Sequence, residues 1–156
     1  MNKLAIILIT GLISYSPLFA QDYKIDVNTV INDLRALNSV VETGTTYLEY
    51  SRRVSDTKIK VDEFLRKYEN KESDIKIFVN DAINYYITAK FAWQVTFNNG
   101  SGYREVKNSI YWKKMEETLK KEIKYMEPQP LWQMAELSIV SIELLVLMNI
   151  YGRMER

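Results

Sequence analysis

Six side chains carry most of the chemistry this sequence offers. Tyr47, Tyr50, Arg52 and Arg53 crowd into one short stretch, Gly44 to Arg53, which reads Gly-Thr-Thr-Tyr-Leu-Glu-Tyr-Ser-Arg-Arg. Glu136 and Glu143 stand seven residues apart in the most apolar segment beyond residue 20, so a helix places both on one face. A buried carboxylate needs a partner or a proton. The arginines can supply the charge and the phenols can donate. The pattern therefore predicts a buried or half-buried cluster linking Glu136 or Glu143 to Arg52 or Arg53, with Tyr47 or Tyr50 donating hydroxyls. The competing arrangement leaves both glutamates along a polar seam open to solvent. In either case Tyr47 to Arg53 also forms a first candidate surface for contacting another protein, since tyrosine and arginine are enriched in such surfaces.

Other chemistry lacks its residues. The chain has no histidine and no cysteine. That removes the commonest general base, the commonest metal ligand, the thiolate nucleophile and the axial imidazole of a haem. A di-iron bundle would need Glu-x-x-His pairs. No phosphate-binding glycine loop or nucleophile elbow occurs. Glu136 with Glu143 could in principle serve a glycosidase-like pair of carboxylates. The expectation is nonetheless a protein that is not an enzyme, with no catalytic residue, no cofactor and no metal.

Charge points away from polyanions. Lys and Arg number 21 against 20 Asp and Glu. Lys3 is the only charged residue among the first 20, so the remainder has 20 of each sign and no net pull on nucleic acid or an anionic membrane.

Residues 1–20 have the order of a removable export signal. Lys3 gives the positive start, Leu4 to Ile13 is an apolar run, Pro17 is expected to break any helix, and Ala20 offers a small residue before a cut at Gln21. The mature chain, residues 21–156, is then expected to be one domain in the periplasm or outside a bacterial cell. Removing 20 of the 156 residues leaves 136, enough for a single core.

The elements that must position the candidate residues all read as helices. Val27, Val30, Ile31, Leu34, Leu37 and Val41 form a three-four stripe, and Tyr47, Tyr50, Val54, Val61, Phe64, Leu65 and Tyr68 form a second. The second is out of phase with the first by one residue across Thr43-Gly44-Thr45-Thr46, and the reading is one continuous but bent helix. Ser73 caps a third helix, whose stripe is Ile75, Phe78, Val79, Ala82, Ile83, Tyr86, Ala89, Trp93 and Phe97. Asn98 to Gly102 is the clearest loop and the second candidate contact surface. A fourth helix runs from about Tyr103 to Met126, burying Val106, Ile110, Met115, Leu119, Ile123 and Met126. Pro128 and Pro130 end it, and a last helix spans Leu131 to Tyr151. That last helix is long enough to cross a membrane, but Glu136 and Glu143 argue for the central helix of a soluble core, contacted on nearly every side.

The predicted fold class is all-α, an antiparallel four- to five-helix bundle after a cleaved signal peptide. The predicted role is binding another protein, as an inhibitor, an immunity-like neutraliser or an assembly accessory. Two alternatives stand beside it. One is a carrier of a small apolar ligand in an interior lined by Met115, Met126, Met134 and Met148. The other is a membrane-attached accessory anchored by residues 131–151.

Overall fold

The chain is entirely helical where its structure is described. The computed structural model describes residues 3–71, 73–98, 101–119 and 128–151, with side chains described from Gln21 up to Leu147 within them. Among the described residues six helices follow one another: α1 (Lys3–Glu42), α2 (Tyr47–Lys67), α3 (Asp74–Phe97), α4 (Tyr103–Asn108), α5 (Ile110–Leu119) and α6 (Gln129–Tyr151). Among the described residues there is no strand.

The first two stripes do not share one bent helix. Gly44 takes φ +82°, a left-handed conformation that ends α1, and the Gly44 N–H bonds the Val41 carbonyl at 3.3 Å. Thr46 is extended, and its hydroxyl accepts the Glu49 N–H at 3.2 Å to start α2. The one-residue slip between the stripes is thus a stop and a restart. It leaves Leu48, where the first stripe would have continued, 79% exposed. At the other end of the chain's first helix the expected break at Pro17 is also absent: α1 is continuous through it. A proline costs a helix one N–H bond, and the surrounding turns can hold across the gap.

α2 returns along α1. Val27, Val30, Ile31, Leu34 and Leu37 of α1 and Tyr50, Val54, Val61 and Phe64 of α2 are all buried, as their spacing requires. Asp33 meets Lys60, and Asp26 takes both the Lys67 ammonium and the Tyr68 hydroxyl, the latter at 2.7 Å. The turn into α3 is locked by one residue. The Lys76 ammonium donates to the carbonyls of Tyr68, Glu69 and Lys71 at 2.7–2.9 Å, placing a cation on the negative end of α2. Ser73 accepts the Ile75 N–H at 3.2 Å as the α3 cap, and its hydroxyl also accepts from Tyr23 at 3.0 Å.

The central helix is α3, not α6. It packs against all five other helices. Its alanines, Ala82, Ala89 and Ala92, are fully buried and let neighbouring backbones come close on several sides. α6 buries Leu131, Met134, Ala135, Ser138, Ile139 and Ile142, mainly against α3. Its opposite face carries Leu137, Val140, Leu144 and Leu147, each 44–55% exposed. Among the described residues, Gln129–Leu147 is the one stretch long and apolar enough to cross a membrane, with a mean hydropathy of 1.4. High apolar content made α6 look central, but centrality follows from how many neighbours a helix can admit.

The expected fourth helix is two. Ser109 is extended (φ −63°, ψ 147°) and separates α4 from α5, and its hydroxyl accepts the Trp112 N–H at 3.2 Å. The break resets the phase: Trp112 and Met115 go inside, while Ile110, expected in the core, is exposed. Leu119 at the end of α5 and Phe97 at the end of α3, both expected inside, are exposed as well. Ile123 and Met126 lie outside the described residues. Glu116 pairs with Lys107 across the break, at 3.1 Å.

Gly44 gives a clean test of the α1–α2 stop. A Cβ there meets nothing within 4 Å, so a substitution changes only backbone strain. Gly44→Ala is expected to lower unfolding free energy by about 1 kcal/mol, and Gly44→Asn by clearly less, because asparagine tolerates the left-handed region. Urea denaturation of both variants measures the difference.

Candidate functional site

Two of the six candidate residues, Tyr47 and Tyr50, meet where α2 begins, α3 ends and α6 begins. Tyr50 is fully buried there. Its hydroxyl donates to the Tyr86 carbonyl of α3 at 2.9 Å and accepts the Trp132 indole N–H of α6 at 2.8 Å. One phenol on α2 therefore satisfies a donor from α6 and an acceptor from α3, linking three helices. Rings pack around it. Tyr50 lies 5.6 Å from both Trp93 and Trp132, and those two indoles are 5.7 Å apart and nearly perpendicular. Tyr47 extends the cluster to Trp93 and Phe97 at 6.0 and 5.9 Å. Such edge-to-face contacts each add about 0.5–1.5 kcal/mol beyond burial.

Burial sets the proton affinity of these phenols. It holds the Tyr50 hydroxyl far above its ordinary value, and the hydrogen bond from Trp132 offsets this only in part. Burial raises Tyr86 in the same direction, helped by the charges of Glu136 and Glu42. Tyr85 is pushed up to about 12 by burial first and then by Asp81 and Tyr111. Asp81 in turn pairs with Lys114 at 3.2 Å, tying α3 to α5.

The expected glutamate–arginine cluster does not form. Glu143 is half-buried and pairs with Arg35 of α1. Glu136 is exposed. Arg52 and Arg53 point to solvent from α2, where Arg53 only approaches Glu49 one turn back, at 3.9 Å. The physical reason is the packing order: Glu143 of α6 lies against α1, where Arg35 meets it, and not against the arginines of α2. Of the six candidate residues, Tyr47 and Tyr50 enter the same aromatic cluster, and the four charged ones are dispersed. Glu136 and Glu143, two turns apart on one helix, are separated by about 10 Å of helical rise, beyond the spacing of a carboxylate pair acting on one bond. Among the described residues no three carboxylates gather as metal ligands.

Of the second candidate surface, Asn98, Ser101 and Gly102 line a cleft of about 410 Å³ between α3 and α4, and Asn99 and Gly100 lie outside the described residues. Phe91 and Val95 of α3 and Val106 of α4 supply its apolar walls, and Gln94 and Glu105 its longer polar groups. Gly102, at φ +88°, turns the chain into α4 and lies so close to α3 that a Cβ would sit 3.4 Å from a Val95 methyl.

No family model, curated protein or solved structure matches this chain.

Sequence reasoning missed Trp132 and Arg35 as partners, and Phe91 and Glu105 as cleft residues. Trp132 follows Pro130 by two residues, so an indole donor in a first helical turn was visible, but its acceptor was not. Phe91 was visible as an aromatic lying off the Ala89–Trp93–Phe97 stripe, where a core residue would not be placed.

Two outcomes are expected. An unfolded tyrosine loses its proton near pH 10, while the folded chain keeps those of Tyr50, Tyr85 and Tyr86 to higher pH. Their contribution is complete below about pH 10 and drains away above it, by about 1.4 kcal/mol per pH unit for each group. Urea midpoints should be flat from pH 7 to 9 and fall steeply beyond 10, with tyrosinate absorbance lagging the ordinary titration until unfolding. Second, Arg52→Ala and Arg53→Ala should leave stability within about 0.5 kcal/mol, whereas Glu143→Gln should cost up to about 1 kcal/mol through the lost Arg35 pair. Thermal melts of the three variants check the order.

Proposed function

We propose that this chain is an exported bacterial protein whose mature part, residues 21–156, is one antiparallel helical bundle that acts by binding another protein. Export rests on Lys3, the Leu4–Ile13 run and Ala20. The bundle reading is supported by the pairing of α2 with α1 and by the packing of every helix on α3. One observation carries the binding reading. At the C-terminal end of α3, Phe97 is 63% exposed while its ring lies 5.9 Å from Tyr47 and 6.5 Å from Trp93, and Leu48, next to Tyr47 on α2, is 79% exposed. Large apolar side chains held in place at a surface lose little entropy on contact, which is how interface anchors gain their energy. An inhibitor, a neutraliser or an assembly accessory would each use such an end. The Tyr47–Arg53 segment contributes Tyr47 and Leu48 to it, with Arg52 and Arg53 at its rim.

A second reading is favoured by the exposed apolar stripe of α6, Leu137, Val140, Leu144 and Leu147, which suits a membrane-attached accessory. A carrier with an apolar ligand inside the bundle has less support: Met115 and Met134 are buried as core-filling residues, Met126 and Met148 fall outside the described side chains, and the 410 Å³ cleft opens elsewhere.

Expression in a bacterial host, followed by fractionation and N-terminal sequencing, should give a soluble periplasmic or secreted chain beginning at Gln21. Crosslinking in that compartment should capture a defined partner, and Leu48→Ser with Phe97→Ser should reduce capture about tenfold or more while leaving the melt unchanged. Capture indifferent to both substitutions contradicts the proposed surface. Retention in the membrane after carbonate extraction establishes the α6 reading instead.

A further inference from the structure

We infer that the α3–α4 cleft receives a single lysine or arginine side chain carried on an apolar segment of the protein partner; this rests on the protein-binding reading above. The cleft pairs apolar walls with one charge. Phe91, Val95 and Val106 line it, and Glu105 is the only ionised group among its lining residues. Glu105 forms no hydrogen bond or ion pair with the described residues, so its carboxylate is available to an occupant. On the same helix Arg104 adjoins Glu105 in sequence and is exposed, while Lys107 pairs with Glu116 at 3.1 Å and lies 5.2 Å from the Trp112 ring. The aliphatic stem of lysine or arginine matches the walls, and its charged end matches the carboxylate.

The Phe91 ring shows what its surface accepts. The Lys90 ammonium already lies 5.2 Å from its centroid. The cleft is partly open to solvent, and Phe91, which lines it, is itself half-exposed. A segment can lay a side chain into such a groove while the rest of it contacts the surrounding surface. A free small molecule gains less there, because pockets for small ligands enclose most of the ligand.

The test is a titration of the purified, isotope-labelled chain followed by amide NMR. The probe is a tripeptide amide of leucine, lysine and phenylalanine; the controls are its glutamate counterpart and 2-phenylethylammonium. The lysine peptide should give saturable shifts at Val95, Gly102, Val106 and Ser109, and the glutamate peptide none. Glu105→Gln should weaken the lysine peptide about threefold to fivefold, the range of an exposed ion pair. Phe91→Ala should weaken it by a similar or larger factor. Both side chains are exposed, and thermal melts of the two variants confirm folding. Equal shifts from both peptides, no effect of Glu105→Gln, or binding of 2-phenylethylammonium as tight as the peptide each overturn the inference, the last by making the cleft a small-molecule site. If Glu105→Gln leaves peptide binding unchanged while the crosslinked partner is still captured, the cleft assignment falls and the protein-binding reading stands. If the peptide binds as expected but no partner is captured in the exported compartment, it is the protein-binding reading that fails.

Discussion

The Tyr50 hydroxyl is the interaction on which the arrangement of this chain turns. A phenol buried without water must both donate and accept, or it costs more than it contributes. Here it donates to the Tyr86 carbonyl and accepts from the Trp132 indole. The two bonds have fixed directions, so they set the rotation of α2 against α3 and of α6 against both. Apolar packing alone leaves such rotations loosely specified, because many azimuths bury similar area. The opposite end is pinned by the same device. Tyr68 donates to Asp26, Tyr23 donates to Ser73, and Lys76 closes the end of α2. Between these pinned ends lies an ordinary core of valine, leucine, isoleucine and alanine. A chain without cysteine has no covalent cross-links, and here directional bonds at both ends confine its helices instead.

This construction bears on the binding reading. The aromatic cluster that surrounds Tyr50 lies directly under the exposed end of α3. Trp93 contacts Tyr47, Tyr50, Phe97 and Trp132, so the surface side chains are braced by rings that are themselves held by hydrogen-bonded neighbours. Preorganisation of this kind lowers the entropy lost on association. The same helix end leads through Asn98 and Gly102 into the cleft, so both proposed contact regions share one rigid support, α3.

How much of this was legible in the sequence depends on the range of the interaction. Periodicity identified most of the buried faces of α1 and α2, because a three-four stripe is a local property; Val41, Tyr47 and Leu65 at the edges are only partly buried. Ser73 was legible as a cap for the same reason. The stop at Gly44 is present in the residue types, a glycine followed by two threonines, but nothing local says whether such a run bends a helix or ends it. Ser109 gave no composition signal at all: its extended backbone is imposed by burying Trp112 and Met115 against α3. The long-range pairings failed most clearly. Glu143 needed an arginine, and Arg35 was as good a chemical match as Arg52; only the placement of α1 beside α6 decides between them. Likewise the most apolar helix was read as the central one, whereas the buried alanines of α3 made it the helix that others could approach.

The measurement closest to the central claim is a double-mutant cycle between Tyr50→Phe and Trp132→Phe, read as unfolding free energies. If the Tyr50 hydroxyl holds α6 against α2 and α3 through the indole, the two substitutions should be strongly coupled, by about 1–2 kcal/mol, with each single change costing more than its share of the double. Additive effects within about 0.3 kcal/mol would show that the bond contributes nothing beyond packing. The three helices would then be positioned by their apolar faces alone.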